Sequence, residues 1–381
     1  MSRTGARFAF IFKRSISLTY LQEKCKIIVQ AGRKPPEKSD KGKKIMIKLV
    51  IDTLGGDRGA EVCVKGAVRS LAEHDDLSLV FTGDETEIKN ILAAEKYDEK
   101  RVETAHAPDV ISCNDKPTDA IRQKKESSMY KAIDLLKNDA SVNGLVTTGS
   151  TGALLAGAVL KVGRIRGVKR PAFCPVMPTM NMGVVAICDS GANVDCDSLQ
   201  LTQFALMASL YMQKAYGVEN PKVALLNVGT EEEKGDMLRK ETFALLKENK
   251  NVNFVGNMEA RDVLGGKYDV IVCDGFAGNV LIKSTEGACL EMLKLLKKTF
   301  TSGLKNKLGA LLLKKDIYKM KDFMDYNNYG GAVLLGCAKT VVKSHGSSKE
   351  KTVYKSVELA YKLEKSGLGK AIAENIAEKA E

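Results

Sequence analysis

An apolar run, a glycine-bearing turn and a helical pattern follow one another repeatedly along this chain, and that recurrence limits the fold more than any other feature. Ile47 to Ile51 leads into Asp52-Thr53-Leu54-Gly55-Gly56-Asp57 and a helical pattern from Glu61 to Leu71. Leu77 to Phe81 leads into Thr82-Gly83-Asp84, and Gly144 to Val146 into Thr148-Gly149-Ser150-Thr151-Gly152. Val223 to Leu226 leads into Asn227-Val228-Gly229, and Val270 to Val272 into Asp274-Gly275-Phe276-Ala277-Gly278. Strands alternating with helices form βαβ units with right-handed crossovers. The expected class is α/β: a doubly wound, Rossmann-like, three-layer αβα sandwich on a largely parallel sheet.

In such sheets ligands collect beyond the carboxyl ends of the strands, where these turns converge. Glycine lets the backbone approach a ligand, and helix N-termini present unpaired N–H groups, so an anion such as phosphate is the expected guest. The nucleotide signatures are missing. No GxGxxG follows a strand, and Gly149-Ser150-Thr151-Gly152 has neither the spacing nor the lysine of a P-loop. A dinucleotide oxidoreductase and a P-loop NTPase are disfavoured.

Each turn also has a plain structural reading. Gly149 to Gly152 fits a tight turn with an N-cap as well as an anion site. Gly191-Ala192-Asn193-Val194-Asp195-Cys196, after the apolar run Val184 to Cys188, fits an Asx-type turn capping a helix that begins near Ser198. In the stretch from Asp274 to Lys283, Asn279 and Lys283 are four apart and share a helix face near its positive end, although a solvated lysine fits too. His345-Gly346-Ser347-Ser348 puts an imidazole beside two hydroxyls, in a position that equally suits the N-cap of a helix running toward Leu363.

Composition matters here chiefly through charge. The net charge of +12 invites a nucleic-acid or anionic-membrane reading. Its distribution argues otherwise. Residues 1–45 hold twelve basic and three acidic side chains, whereas the other 336 residues hold 47 and 44. The first 45 are expected to be a disordered basic extension or an artefact of start-site choice, with Met46 opening a domain over 46–381. Nine cysteines without a CxxC pair and only three histidines, His74, His106 and His345, suggest buried thiols of a reducing compartment and no metal site. No run reaches the eighteen or so apolar residues of a membrane span, so a soluble protein is expected.

Taken together and in order, the motifs resemble a known family. They are Asp52-x-x-Gly55-Gly56-Asp57, Arg122-x-Lys124-Lys125-x-Ser127-Ser128-Met129, Gly149-x-Thr151-Gly152-Ala153, and Gly163-Arg164-Ile165 with Arg170-Pro171-Ala172. Then come Gly191-Ala192-Asn193-x-Asp195-Cys196, Glu219-Asn220-Pro221, Leu226-Asn227, and Glu231-Glu232 with Lys234-Gly235. Asp274-Gly275-Phe276-x-Gly278-Asn279, Tyr329-Gly330-Gly331-Ala332 and His345-Gly346-Ser347-Ser348 complete the series. Over about residues 46 to 360 the chain resembles the acyl-carrier-protein-dependent phosphate acyltransferases of bacterial glycerolipid synthesis, the PlsX family.

The resemblance implies the reaction of acyl-[acyl carrier protein] with inorganic phosphate to give acyl phosphate and free carrier protein, without a cofactor. Phosphate is already anionic at neutral pH, so no strong general base is needed, which suits a histidine-poor chain. The expected anion cradle is Gly149, Ser150, Thr151 and Gly152 with Gly275, Gly278 and Lys283. Asn193 and Asn279 are the expected donors to the carbonyl oxygen, and His345 the acid for the departing thiolate. The resemblance further implies phospholipid synthesis, a homodimer and a cytoplasmic enzyme in peripheral contact with the inner face of the membrane.

Near residues 300–325, Leu304, Leu308, Leu311, Leu312, Tyr318 and Phe323 alternate with lysines 305, 307, 314, 315, 319 and 321. This amphipathic segment fits membrane contact through 304–324, a groove wall for an acyl chain and acidic carrier protein, or an ordinary stripe packed on the core or on a second subunit. Two rival functions remain. One is a coenzyme A-dependent phosphate acyltransferase of the phosphotransacetylase type. The other is a non-catalytic basic protein for lipid or nucleic acid, against which the balanced charge of the folded part counts, so no nucleic-acid partner is expected.

Overall fold

In a computed structural model of the chain, which describes residues 46–377, the apolar runs become strands. They are β1 (Ile47–Asp52), β2 (Leu77–Gly83), β3 (Val102–His106), β4 (Val142–Thr147), β5 (Ala172–Cys174) and β6 (Val176–Pro178). Further along come β7 (Val184–Cys188), β8 (Lys222–Asn227), β9 (Asn253–Glu259), β10 (Val270–Val272), β11 (Ala332–Leu335) and β12 (Thr340–Lys343). The expected disordered extension at 1–45 lies outside the described residues.

The strands form two sheets where the sequence suggested one. The larger has the order β3-β2-β1-β4-β12-β11-β5, and the smaller β6-β7-β10-β8-β9. Pairing is parallel from β3 through β12 and from β7 through β9, and antiparallel only at β12-β11-β5 and β6-β7. The class is therefore α/β, Rossmann-like and largely parallel, as expected.

Alternation along each strand feeds two faces. Leu49 and Ile51 of β1 join Leu77, Leu79 and Phe81 in one core, with Val64 and Ala67 of helix Gly59–Val68 and Val353 and Val357 of helix Glu350–Ser366. Val50 joins Val80 and Leu145 in another, under Ile133 and Leu136 of helix Ser128–Asn138. The smaller sheet does the same, with Val223, Leu225, Val270 and Val272 in the first core and Ala224, Leu226 and Ile271 in a third. One core thus serves both sheets, and helix Ser198–Tyr216, with a capping box at Asp197 and Gln200, runs through it. Burying both faces is what a parallel sheet requires.

Cys63, Cys174, Cys188, Cys273 and Cys337 are buried, as expected, whereas Cys113 is exposed. The segment read as one amphipathic element is the second arm of a hairpin. Helix Gly275–Thr301 is followed by Leu304–Met324, and Gly303 turns the chain at φ 144°, a conformation that favours glycine. Leu304, Leu308, Leu311 and Leu312 are 88%, 63%, 65% and 80% exposed, so this stripe does not pack on the core. Among the described residues no helix is long and apolar enough to cross a membrane.

Candidate active site

The carboxyl ends of β1, β4 and β12, neighbours in the larger sheet, bring three distant motifs together. The Gly346 carbonyl accepts from the Asp57 N–H at 2.9 Å, and Arg58 Nε donates to the Ser347 carbonyl at 3.1 Å. A Cβ on Gly56 would overlap Thr148, and one on Gly55 would stand 3.1 Å from the Gly149 Cα, so both glycines permit close approach of the loops. Beneath them the Asp52 carboxylate accepts from Ser128 Oγ at 2.5 Å and Thr147 Oγ1 at 2.6 Å. Thr147 Oγ1 in turn accepts the Gly149 N–H at 2.9 Å. The Asp52 side chain therefore sets the turn after β4. Burial raises its carboxyl to about 6 against these hydrogen bonds.

The smaller sheet contributes the loop after β7. The buried Asp189 carboxylate accepts from the N–H groups of Phe173 (2.8 Å), Ala192 (3.1 Å) and Asn193 (2.6 Å), and from Asn193 Nδ2 at 3.0 Å. Burial again raises it to about 6. Asn193 Nδ2 also donates to the Pro171 carbonyl at 2.8 Å, and its own carbonyl accepts from the Gly275 N–H at 2.7 Å. This ties the β7 loop to helix Gly275–Thr301. Asp274 caps that helix by accepting from the Ala277 N–H at 2.8 Å, and it pairs with Arg239.

Between the two sheets lies a cleft of about 430 Å³, within the range of small-ligand sites. Its lining mixes polar and charged side chains, among them Thr151, Asn279, Lys283, Glu286, Lys343 and His345, with apolar ones such as Leu155, Phe173, Met177 and Ile282. A ligand with an anionic group and a hydrocarbon part matches this mixed lining.

The sequence-predicted residues separate cleanly. Thr151, Gly152, Asn279, Lys283 and His345 line the cleft. Gly149 and Ser150 are not among the lining residues, and Ser150 caps helix Thr151–Gly157. Asn193, Gly275 and Gly278 are not among the lining residues. The Asn193 amide is committed to Asp189 and Pro171, which makes it a loop brace where a carbonyl donor was expected. Gly275 and Gly278 admit the helix onto the β7 loop, since a Cβ on Gly275 would stand 2.6 Å from the Asn193 carbonyl oxygen and one on Gly278 would overlap that of Asp189.

Lys283 pairs with Glu286 at 2.8 Å and is 55% exposed. His345 Nδ1 accepts the Ser347 N–H at 3.2 Å, which assigns the proton of a neutral ring to Nε2. Burial, with Lys283 and Lys343 nearby, lowers its pKa, so the neutral imidazole prevails at neutral pH. That form suits hydrogen-bond donation through Nε2–H better than outright protonation. Lys343, which motif reading passed over, sits on β12 two residues before His345. Among the described residues, one set of three potential metal donors lies close together, Glu73, His74 and Glu358, and none of them lines the cleft.

The fold is that of solved phosphotransacetylases. A phosphotransacetylase from Streptococcus pyogenes superimposes with a TM-score of 0.57 over 84% of this chain and 96% of its own, at 17% identity. One from Staphylococcus aureus gives 0.53 over 83% and 94%, at 16% identity. At these identities the likeness concerns the fold alone.

Sequence decides the family. Residues 47–370 match the family described as "Fatty acid synthesis protein". The phosphate acyltransferase of Clostridioides difficile is 43% identical over 84% of this chain and 93% of that protein. That of Dictyoglomus turgidum is 44% identical over 87% and 98%. The chain belongs to the phosphate acyltransferase family, and it is an enzyme of that class.

Proposed function

We propose that the enzyme transfers the acyl group of an acyl-[acyl carrier protein] to inorganic phosphate, supplying acyl phosphate for phospholipid synthesis. The observation that supports this reading is the cleft's mixed lining, with the cations Lys283 and Lys343 and the hydroxyl of Thr151 in the same cavity as Phe173, Met177 and Ile282. A phosphate oxygen attacks the thioester carbonyl carbon, the carbon–sulfur bond breaks, and the carrier's thiolate leaves and takes a proton. Phosphate is held by Thr151, Gly152 and Lys283, on the turn that Gly149 and Ser150 support, while the acyl chain lies along Phe173, Met177 and Ile282. Asn279 donates to the carbonyl oxygen as charge develops there, and His345 Nε2–H faces the departing sulfur. Gly275, Gly278 and Asn193 hold the helix that carries Asn279 and Lys283. The chemistry rests on positioning and fixed donors, each lost donor costing on the order of 3 kcal/mol.

The exposed leucines of Leu304–Met324, beside Lys305, Lys307, Lys314 and Lys315, support peripheral contact with anionic lipid at the inner face of the membrane, and the long hairpin supports a homodimer. The folded unit in this reading begins at Met46, and residues 1–45 take no part in catalysis.

Donor choice tests the proposal. The same acyl group presented on acyl carrier protein and on coenzyme A should give phosphate-dependent turnover with the carrier-protein thioester at far higher kcat/KM. Lys283→Ala should raise the KM for phosphate about tenfold, the loss of one charge-assisted contact. Preference for coenzyme A would move the enzyme to the phosphotransacetylase reaction, and an unchanged KM would take Lys283 out of the phosphate site.

A further inference from the structure

Lys343 ends β12 and lines the cleft beside Thr151 and His345. Its Nζ donates to the Thr148 carbonyl at 3.2 Å and to the Ser344 carbonyl. Two of the three ammonium donors are thus committed to backbone oxygens of the residues that follow β4 and β12. The head group is held in place, unlike that of Lys283, which is largely exposed and engaged with Glu286. Among the described residues no carboxylate stands within ion-pair distance of Lys343. Asp52 and Asp57 act on it only through space, and Asp52 already accepts hydrogen bonds from Ser128, Thr147 and the Leu54 N–H. A half-buried cation fixed by dipoles and lacking a counter-ion is an unfavourable arrangement that an anionic ligand relieves.

Resting on the phosphate acyltransferase reading, we infer that Lys343 is the fixed cation of the phosphate subsite, its third N–H meeting a phosphate oxygen at the point of attack. Asp52 is a positioning residue in this arrangement, because Thr147 carries its hydrogen bond on to the Gly149 N–H.

The inference has a pH signature. Burial lowers Lys343 to about 8, against the smaller opposing influence of Cys113, Asp52, Asp57 and Cys63. Lys283 and Glu286 line the same cleft, and His345, two residues along the chain, has its own pKa lowered by burial and by Lys283 and Lys343. Above about pH 8 the free enzyme loses the Lys343 proton, and phosphate must bring it back on binding. Affinity for phosphate should therefore fall about tenfold per pH unit above that point.

The test is equilibrium binding of inorganic phosphate to the full chain, without thioester, from about pH 7 to 9.5. Wild type should show the alkaline loss. Lys343→Met should bind at least tenfold more weakly at neutral pH and show no such limb. Lys343→Arg, charged throughout, should keep affinity within a few-fold and show no alkaline loss above about pH 8, where phosphate is already the dianion. Wild-type affinity in Lys343→Met, an alkaline limb that survives in Lys343→Arg, or no phosphate binding by wild type would each overturn the inference. The arginine variant decides if the methionine variant fails to fold. A wild type that binds phosphate with this profile yet forms no acyl phosphate from any thioester would instead defeat the acyltransfer reading and leave the phosphate site standing.

Discussion

Two buried carboxylates, Asp52 and Asp189, give the cleft its shape without lining it. Both are raised from 3.8 to about 6, mainly by burial. An acid held above its unfolded value keeps its proton longer in the native state, so its contribution to stability falls as pH rises from about 4 to about 6. Asp52→Asn removes that burden along with a hydrogen-bond acceptor. Its stability deficit relative to wild type should be largest near pH 4 and shrink by on the order of 3 kcal/mol by neutral pH. Urea unfolding across that range measures it, and a constant deficit would show that Asp52 is not raised. At this scale the sequence was partly legible. Asn279, Lys283 and His345 stood out because helix spacing and motif order are local properties. Lys343, and the structural duties of Asn193, Gly275 and Gly278, were hidden because burial and hydrogen-bond partners depend on strands far apart in the chain.

Among the elements, the β-run, turn and helix units were read correctly at β1, β2, β4, β8 and β10, whereas β12, also parallel and apolar, was missed. The short strands β5, β6 and β11 were missed as well, because three or four residues leave too little periodicity to detect. The second arm of the hairpin was anticipated as an amphipathic segment, but spacing alone left its partner open. Exposure of Leu311 and Leu312 sets the core aside as that partner. Leu311→Glu with Leu312→Glu should abolish co-sedimentation with anionic vesicles while leaving the far-UV spectrum unchanged. Equal sedimentation of variant and wild type would exclude this stripe as a lipid contact.

For the whole molecule, class was legible and sheet number was not. Each βαβ unit buries both faces of its strands whichever sheet it enters, so local pattern fixes the unit and long-range pairing assigns it. The consequence for function is the cleft itself. A single sheet offers the row of carboxyl ends that the motifs suggested, whereas two sheets sharing a core set the loops after β4 and β12 against the loop after β7 and helix Gly275–Thr301. The mixed apolar and cationic lining arises there. Most of the net charge of +12 falls in residues 1–45, and residues 46–381 are nearly balanced. The most direct measurement is product analysis on the purified chain given acyl-[acyl carrier protein] with and without inorganic phosphate. The account predicts acyl phosphate, trapped with hydroxylamine as the hydroxamate, in equal amount to the carrier thiol released and only when phosphate is present. Release of free fatty acid at a rate indifferent to phosphate would contradict it.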